Sequence, residues 1–310
     1  MVPRSVGGIA AVLLLLASCG ETAPPQSGPS EQTSASAAFP VTVDGVTIVQ
    51  RPERIVSLSP TATEMLFAIG AGDQVEAVDD QSNYPADAPM TDLSGFEPNV
   101  EAIASYEPDL VVYSTEPGDL GAALAGLAIP ALVQPAATML DDVYQQIDQL
   151  GVATGDASEA KDVVDNMRAE IDSITGSIQP PSEPVTYYHE LDDTFYSVTS
   201  STFIGQLYSL VGLRNIADKA KGAGGGYPQL SAEYILSADP DLIFLADTKC
   251  CGQSRQTVAK RPGWDRIAAV KNGGVIPLDD DIASRWGPRV VEYLRQIAGA
   301  VAHVLEAQAA

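Results

Sequence analysis

The sequence predicts an α/β protein made of two lobes with mainly parallel sheets, which one long helix connects. Short apolar runs alternate with segments of helical periodicity along most of the chain, and this alternation is typical of parallel sheets covered by helices. It pauses at a single long helical pattern and then begins again. Two patterns from the first half of the chain also recur, in the same order, in the second half.

The N-terminal lobe, residues 39–157, begins the alternation. Apolar runs predict strands at 55–58, 109–113 and 131–133. After the first of them, residues 61–69 have helical periodicity and stop at Gly70, a common helix terminator. This part of the chain is therefore expected to form an open α/β unit.

A long helix connects this lobe to the next. Residues 158–180 carry apolar side chains at helical spacing, and Pro180-Pro181 cannot continue a helix. The alternation restarts with a strand over 186–191, which places the C-terminal lobe at residues 181–310. Both lobes are expected to be Rossmann-like, since strands and helices alternate in each.

Two patterns of the N-terminal lobe recur in the C-terminal lobe. Glu101 stands seven residues before Pro108-Asp109-Leu110, and Glu233 stands seven residues before Pro240-Asp241-Leu242. The second pattern is a polar strand end that feeds an amphipathic helix closed by glycine, first near residue 59 and again near residue 201. A long repeat of this kind indicates two similar lobes. Facing lobes leave a ligand cleft at the carboxyl ends of their strands.

The first 38 residues are predicted to contain a secretion signal and a tether. The apolar run 6–17 is too short to span a bilayer and ends in Leu16-Ala17-Ser18-Cys19, which resembles the lipobox of a bacterial lipoprotein. We therefore predict a signal peptide over residues 1–18 and a lipid on the thiol of Cys19; an ordinary secretory signal is the alternative. Residues 19–38 are rich in small and polar side chains, which predicts a disordered tether on the extracytoplasmic face of the cell membrane.

The composition narrows the classes of function. The chain has 310 residues, enough for one large or two ordinary domains. Its 41 acidic and 17 basic residues give a formal charge of −24, which argues against a nucleic-acid partner because phosphate binding needs patches of lysine and arginine. Two histidines are too few for a His-rich metal cage, and three cysteines are too few for a disulfide scaffold or a four-thiolate zinc site.

A set of segments stands in a characteristic order along the chain: Arg54–Glu64, Asn83–Pro85, the two units that pair a glutamate with Pro-Asp-Leu, Tyr227–Ser231 and Arg285–Arg289. From about Arg51 to Ala302, this ordered set resembles the helix-linked substrate-binding lipoproteins of ABC importers (type 2 periplasmic binding proteins), which capture cobalamin, ferric siderophores and haem. Members of this family have two lobes, a rigid connecting helix and a modest closing motion.

The resemblance implies a binding protein rather than an enzyme. As a monomer without a cofactor, it would capture a metal chelate, either a corrinoid such as cobalamin or a ferric siderophore, and deliver it to the permease and ATPase complex of the importer. Haem or a bare metal ion is the alternative ligand within the superfamily. The alternatives of another class are a secreted metal-dependent hydrolase, which needs clustered metal ligands, and a passive surface scaffold.

One glutamate in each lobe matches the residues with which this family docks onto arginines of the permease. The matching positions are Glu101 and Glu233. Solvated carboxylates suit a transient encounter because they contribute orientation and association rate more than affinity. The alternative is local, since an acidic residue in a first helical turn stabilises the helix through its dipole by about 0.3–1 kcal/mol.

The predicted ligand-binding residues lie on segments that follow strands, and most are aromatic. They are Tyr84, Phe96, Asp192, Tyr196, Tyr227, Arg285 and Trp286. Rigid aromatic planes bury a large flat ligand at low entropic cost, and an arginine pairs with a carboxylate, phosphate or chelate oxygen. The resemblance assigns ligand contacts to Tyr84 and Arg285 and places Phe96 near an aromatic contact. Trp264 is expected to pack in the core, whereas Trp286 fits packing and ligand contact equally well.

Other chemically capable residues receive a lesser role. Cys250-Cys251 follows a strand and could form a strained eight-membered disulfide or bind a soft metal with a third ligand; a local structural or redox role is favoured. The acidic groups 79–80, 192–193 and 279–281 are expected to be solvated, since no calcium-loop spacing is present. His189 is expected to be packed in a strand, and the chain has no Gly-x-Ser-x-Gly nucleophile elbow. No metal site is predicted.

Overall fold

A computed structural model describes residues 39–178 and 183–309 of the chain. The predicted signal peptide, the lipidation site Cys19 and the tether lie outside these residues, as do residues 179–182.

The strands are β1 (Val41–Val43), β2 (Val46–Ile48), β3 (Ile55–Leu58), β4 (Val75–Asp79), β5 (Met90–Leu93), β6 (Leu110–Tyr113), β7 (Ala131–Val133), β8 (Thr186–Glu190), β9 (Arg214–Asn215), β10 (Leu242–Leu245) and β11 (Val275–Pro277). The α-helices are α1 (Pro60–Ala68), α2 (Val100–Ala104), α3 (Leu120–Gly126), α4 (Leu140–Thr154), α5 (Ala157–Ser177), α6 (Phe203–Leu210), α7 (Ala232–Ala238), α8 (Arg255–Ala259), α9 (Ala268–Lys271), α10 (Asp280–Ser284) and α11 (Val290–Ala309).

Two parallel sheets form the two lobes. The N-terminal sheet has the strand order β5-β4-β3-β6-β7, and the C-terminal sheet has the order β11-β10-β8-β9. Every neighbouring pair within these two sheets is parallel. The antiparallel pair of β1 and β2 precedes the first sheet. The prediction of two α/β lobes with mainly parallel sheets is confirmed.

The long helix α5 connects the lobes and packs against α4 and α11. Its buried side chains recur at every third or fourth position, as the apolar pattern in the sequence indicates. They are Ala160, Val164, Met167 and Ile171. These side chains join an apolar core that draws on both lobes, including Leu66 from α1 and Leu294 from α11. Within the described ranges, no helix is both long and apolar enough to cross a bilayer.

The inner strands are buried on both faces. Every residue of β3, β6 and β10 is buried, because helices and short turns cover both sides of each parallel sheet. The sequence shows this burial as continuous apolar runs such as Leu242–Leu245 rather than as alternation. The carboxyl ends of these strands emerge at one edge of each sheet, and the segments that follow them carry the predicted site.

The recurring Pro-Asp-Leu unit ties a central strand to its neighbour in each lobe. The carboxylate of Asp109 accepts hydrogen bonds from the backbone N–H groups of Glu53 (2.9 Å) and Arg54 (3.0 Å), directly before β3. The carboxylate of Asp241 accepts one from the backbone N–H of Thr186 (2.8 Å), the first residue of β8. The leucine that follows each aspartate opens the adjacent strand, so the aspartate also aligns β6 with β3 and β10 with β8.

The second recurring pattern builds equivalent helices in the two lobes. The hydroxyl of Ser59 accepts the backbone N–H of Ala62 at the start of α1, and the hydroxyl of Thr202 accepts that of Gly205 at the start of α6. Gly70 and Gly212 follow these helices with φ angles of +85° and +78°. Only glycine adopts this left-handed conformation without a steric penalty, so both chain reversals need it.

Candidate functional site

Segments that follow strand ends in one lobe contact the other lobe at two places. Asn83, after β4, donates from Nδ2 to Oδ2 of Asp281 in α10 at 3.1 Å. Gln206, in α6, donates from Nε2 to the backbone carbonyl of Thr138, after β7, at 2.6 Å. Because β4 and β7 lie on opposite sides of β3 in the sheet, these contacts bracket the strand ends between them.

A buried ion cluster joins the lobes next to the first of these contacts. The carboxylate of Glu64 in α1 accepts hydrogen bonds from Nη1 of Arg285 at 2.8 Å and from Nε of Arg289 at 2.9 Å. Nη2 of Arg289 donates to the same carboxylate. Arg285 also donates to the carbonyl of Gln81 (2.9 Å) and to Asp281 (3.1 Å). We call Glu64, Arg285 and Arg289 the Glu64 cluster. The cluster thus holds the guanidinium of Arg285, which the sequence analysis assigned to ligand binding. That assignment stays a prediction.

Trp286 lies in the same inter-lobe seam. Its indole Nε1 donates to Oε1 of Gln146 in α4 at 3.0 Å, and its partly buried ring packs against the shared apolar core. A Cβ on the next residue, Gly287, would lie 3.4 Å from Oε2 of Glu64. The Trp-Gly-Pro segment therefore runs close against α1, and packing accounts for the position of Trp286.

Tyr84 and Phe96 stand at the strand ends of the N-terminal lobe. Tyr84 is 44% exposed, and the guanidinium of Arg289 lies 4.1 Å from its ring centroid. Phe96 is 77% exposed and follows Gly95. A Cβ at Gly95 would lie 2.5 Å from the carbonyl oxygen of Leu58, so only glycine lets this segment approach the end of β3. That approach seats the aromatic ring of Phe96 beside the edge of the sheet.

Tyr196 and Tyr227 form a second aromatic pair, in the C-terminal lobe. Tyr196 pairs with Gln229 in an antiparallel ribbon, and backbone hydrogen bonds continue it to Val198 opposite Tyr227. Both tyrosines of this ribbon are partly exposed, with exposures of 41% and 53%. Asp192 shapes the preceding turn, because its Oδ1 accepts the N–H of Thr194 at 2.9 Å.

Trp264 packs in the core next to this ribbon. It is fully buried and stacks on Phe195, with ring centroids 5.8 Å apart. The guanidinium of Arg261 lies 4.5 Å from its ring centroid. The prediction that Trp264 belongs to the core is confirmed.

A second buried ion cluster lies at the ends of β8 and β10. Arg261 forms a two-pronged ion pair with Glu190, with N···O distances of 2.6 and 2.5 Å. Asp247 is fully buried beside this pair, and neither of its carboxyl oxygens has a hydrogen-bond partner in the described residues. Burial, together with the charge of Glu190, raises the pKa of Asp247 to about 8. We call Glu190, Asp247 and Arg261 the Glu190 cluster.

The two candidate docking glutamates occupy equivalent helices. Glu101 and Glu233 are each the second residue of a short helix, α2 and α7, and both are exposed. The side chain of Asn99 accepts the N–H of Ala102 at 3.1 Å, and that of Ser231 accepts the N–H of Tyr234 at 3.2 Å. These caps satisfy the helix N-termini and leave both carboxylates to solvent.

The described residues contain no group of three or more His, Cys, Asp or Glu side chains that could hold a metal ion. His189 is fully buried, its Nδ1 lies 2.8 Å from the hydroxyl of Tyr208, and burial lowers its pKa to about 3. The expectation of a packed histidine is confirmed. Cys250 and Cys251 are exposed, with their Sγ atoms 2.6 Å apart.

The sequence also matches a known family. A family model described as a periplasmic binding protein matches residues 55–282, which include both sheets. The chain belongs to the periplasmic binding protein family. An uncharacterized ABC transporter substrate-binding lipoprotein of Bacillus subtilis is 31% identical over 312 aligned positions, covering 95% of this chain and 96% of the relative.

Other members of this family resemble the chain over most of its length. A cobalamin-binding protein of Halobacterium salinarum is 28% identical over 306 positions, covering 94% of this chain and 82% of the relative. A solved structure described as a possible iron-binding periplasmic solute-binding protein from Staphylococcus epidermidis has a TM-score of 0.69 and 25% identity, covering 81% of this chain and 99% of that one.

The family assignment confirms the resemblance found in the sequence. The protein is a substrate-binding component of an ABC importer, and such proteins work outside the cytoplasm with a permease and an ATPase. Family members bind solutes for transport rather than transform them. The arrangement described above suits this role, since two lobes carry exposed aromatic side chains at their strand ends.

Proposed function

We propose that this binding protein captures a corrinoid between its two lobes and delivers it to the permease of an ABC importer. The observation that carries this proposal is the charge state of the cleft segments. Large exposed aromatic rings stand on segments that follow strands, while the cations after β10 and β11 are already paired with carboxylates. A ferric hydroxamate, another chelate without net negative charge, is the second candidate.

The pairing of the cations disfavours an anionic ligand. The segments that follow β3 to β8 contain no lysine or arginine. Those after β10 and β11 contain Lys249, Arg285 and Arg289, and each of these forms an ion pair with aspartate or glutamate. The segment from β9 to Tyr227 contains the exposed Lys219 and Lys221, so the charge argument concerns the cations after β10 and β11. Haem carries two propionates and ferric catecholates carry net negative charge, so their burial requires cations that are not already neutralised. A corrinoid fringed with neutral amides does not.

The aromatic side chains suit a large ring system. Tyr84, Phe96, Tyr196 and Tyr227 are all at least 41% exposed, although aromatic side chains of this size are usually well buried. Three of the four carry a hydroxyl, which donates a hydrogen bond to an amide oxygen at the edge of a macrocycle. The name of the Halobacterium salinarum relative, a cobalamin-binding protein, supports the same ligand class.

The experiment is a tryptophan-fluorescence titration with cyanocobalamin, and with a ferric hydroxamate, a ferric catecholate and haem in parallel, each corrected for absorbance. Trp264 reports on the cleft because it stacks on Phe195, the neighbour of Tyr196. We expect saturable quenching by cyanocobalamin at low micromolar concentration or below. Saturation by the ferric hydroxamate alone would transfer the proposal to the second candidate. Saturation by haem or the catecholate would contradict the charge argument.

A matched pair of variants locates the ligand. Tyr227→Ala removes an aromatic side chain that is 53% exposed, and we expect about a tenfold loss of cyanocobalamin affinity, in line with a buried aromatic contact. Leu127→Ala removes an apolar side chain of the same exposure, 53%, just before the amino end of β7. This control is expected to bind normally. Equal affinities of the two variants would place the ligand elsewhere.

The attachment and docking features complete the proposal. Cys19 carries the lipid, residues 19–38 act as the tether between membrane and lobes, and Glu101 and Glu233 dock onto basic residues of the permease. The equivalence of α2 and α7 supports this docking role, because a local helix-stabilising role does not require one exposed carboxylate at the same position in each lobe.

Charge reversal tests the docking sites. In Glu101→Lys/Glu233→Lys, we expect uptake of labelled cyanocobalamin by cells to fall at least about tenfold, because two ion pairs with the permease become repulsive. Ligand affinity is expected to stay unchanged. The control Glu159→Lys/Glu292→Lys alters two other exposed glutamates and gives the same net charge. Equal uptake by the two double variants would rule out specific docking.

A further inference from the structure

The vicinal thiols of Cys250 and Cys251 lie on the segment that follows β10. Both side chains are exposed and their Sγ atoms are 2.6 Å apart. No role in ligand capture or permease docking uses them. The family acts outside the cytoplasm, where thiol pairs oxidise and disulfides persist.

One carboxylate holds the backbone of this segment in place. Asp280, the first residue of α10, accepts the backbone N–H groups of Thr248 (2.8 Å), Lys249 (2.9 Å) and Cys250 (3.0 Å). Three N–H groups on a single carboxylate fix the course of the chain up to the first cysteine. The position of α10 and the conformation of the thiol segment are therefore coupled.

The same segment reaches the contact between the lobes. The ammonium group of Lys249 binds Asp279 at 2.8 Å and Asp281 at 2.6 Å. Asp281 in turn accepts a hydrogen bond from the side-chain amide of Asn83 in the N-terminal lobe. It also forms an ion pair with Arg285 of the Glu64 cluster. A change at the thiols thus has a short path of direct contacts to the inter-lobe seam.

We propose that Cys250 and Cys251 form a thiol–disulfide exchange site whose oxidation loosens the seam between the two lobes. The oxidant is a small-molecule disulfide. One protein thiolate attacks a sulfur of that disulfide, forms a mixed disulfide and releases the first thiol. The second protein thiolate then attacks the sulfur of the neighbouring cysteine, closes the intramolecular S–S bond and releases the second thiol. The protein loses two electrons and two protons, and the oxidant becomes two thiols.

The surroundings of Cys250 make its thiol less acidic than usual. Burial of its sulfur and the adjacent Cys251 thiol, with the carboxylates of Asp280 and Asp247 nearby, raise its pKa. Either thiol can make the first attack, and the other then closes the ring. Single replacement of either cysteine is expected to stop the reaction at the mixed disulfide.

Ring closure strains the segment, because a disulfide between adjacent residues must span an unusually short distance between Cα atoms. Adjacent Cα atoms lie about 3.8 Å apart across a trans peptide, whereas disulfides usually span Cα atoms about 4.4–6.8 Å apart. The resulting ring is strained and includes the peptide bond between the cysteines. The strain falls on the peptide group between the cysteines, whose N–H (Cys251) binds the carbonyl of Asp247 at 3.3 Å. It falls also on the backbone dihedrals of Cys250, whose own N–H binds Asp280. An easily reduced bond that shifts its own backbone is suited to reversible control.

Thiol counting tests the first half of this proposal, without reference to any ligand. The full chain with Cys19→Ala contains two thiols, since the sequence has three cysteines. After treatment with oxidised glutathione, we expect the protein to lose two hydrogen masses and to resist alkylation. Cys250→Ser and Cys251→Ser in the same background should each accumulate one glutathione adduct. Two alkylated thiols, or a stable glutathione adduct on the unsubstituted pair, would overturn the proposal.

Amide exchange measured by NMR tests the coupling. On oxidation, the N–H groups of Lys249 and Cys250 should exchange about two- to tenfold faster, the change expected for a weakened hydrogen bond. The internal reference is the backbone N–H of Thr186 in the same lobe, which donates a hydrogen bond to the carboxylate of Asp241. Under the same treatment, Cys251→Ser should show no change. An intramolecular disulfide with unchanged exchange at these amides would refute the link to the seam.

Discussion

The two buried ion clusters have opposite compositions. The Glu64 cluster sets one carboxylate between two guanidinium groups and joins the lobes. The Glu190 cluster sets two carboxyl groups beside one guanidinium and lies inside the C-terminal lobe. In the first, Asp281 gives Arg285 a second acidic partner but none is paired with Arg289, whereas the second holds a protonated acid, Asp247, beside its ion pair. A buried charge is costly when its partner is lost, so the two clusters should respond very differently to similar substitutions.

The largest effect is expected for Glu64→Gln, which leaves Arg285 and Arg289 buried without their shared carboxylate. Loss of one partner of a buried ion pair costs about 3–5 kcal/mol. The free energy of unfolding in urea should fall by that amount. A loss below about 1 kcal/mol would show that the cluster stores little energy and that the lobes are joined by other contacts.

Glu190→Gln is the matched substitution in the other cluster, and a smaller loss of about 1–3 kcal/mol is expected. Asp247 becomes able to ionise and to pair with Arg261 when the charge of Glu190 is removed, since that charge is one cause of its raised pKa. The same urea experiment compares the two variants. Equal losses of unfolding free energy for Glu64→Gln and Glu190→Gln would show that Asp247 does not replace Glu190 as the partner of Arg261.

Arg285→Ala sharpens the role of the inter-lobe cluster. Arg289 still neutralises Glu64, so a loss of unfolding free energy of about 1–3 kcal/mol is expected, mostly from the bonds to Gln81 and Asp281. Because its guanidinium is committed to these contacts, we expect cyanocobalamin affinity to change less than about tenfold. Unchanged stability together with a larger loss of affinity would instead support the ligand contact that the family resemblance implies.

Asp247→Asn tests the protonated acid through pH. The raised pKa of about 8 in the folded protein, against about 3.9 in the unfolded chain, means that the folded state retains a proton there between these values. This residue therefore makes stability fall as pH rises from about 4 to about 8, by at most about 1.4 kcal/mol per pH unit. In urea unfolding across this range, Asp247→Asn should lose that slope relative to the unsubstituted protein. Parallel pH profiles would show an ordinary pKa for Asp247.

Asn83→Ala should have the smallest effect, about 0.5–1 kcal/mol or less. It removes one exposed hydrogen bond between the lobes, which water replaces. The expected consequence is a slightly looser seam, measured as faster amide exchange in α10 with little change in urea unfolding. A loss comparable to that of Glu64→Gln would mean that the rim of the seam contributes as much as the buried cluster.

The fold was predictable because its signals are local and repeated. Continuous apolar runs predicted the buried strands, and glycines predicted the ends of α1 and α6. The recurring Pro-Asp-Leu unit pointed to two similar lobes, and its aspartates form equivalent backbone contacts in both. Each of these features depends on residues a few positions apart, or on one residue that must satisfy a specific backbone group.

The site was predictable only in part because its decisive contacts join distant residues. The exposure of Tyr84, Phe96, Tyr196 and Tyr227 follows from their places after strands. The partnership of Glu64 with Arg285 spans 221 positions, and no local pattern reports it. A polar residue inside the apolar helix pattern of α1 was the available signal, since a buried glutamate requires a partner.

The protonated acid was missed for a similar reason. Asp247 stands at a strand end, where acidic residues are usually solvated, and its sequence neighbours give no sign of burial. Only the fold places it against Glu190, on a strand more than fifty positions earlier in the chain. The vicinal cysteines, in contrast, were visible at once, but their connection to the inter-lobe seam depends on Asp280, about thirty positions later.

The aspartates that tie the central strands also order the steps of folding. In each lobe, 55 residues separate the first strand from the carboxylate that binds it. Neither sheet can complete its register until that later residue has been synthesised, so closure of a long loop is built into both lobes. During synthesis, a chain that has passed β7 but not Asp241 can set the register of its first sheet while the second stays open. The N-terminal sheet can therefore set its register first, but the apolar core that both lobes share closes only when α11 has been made.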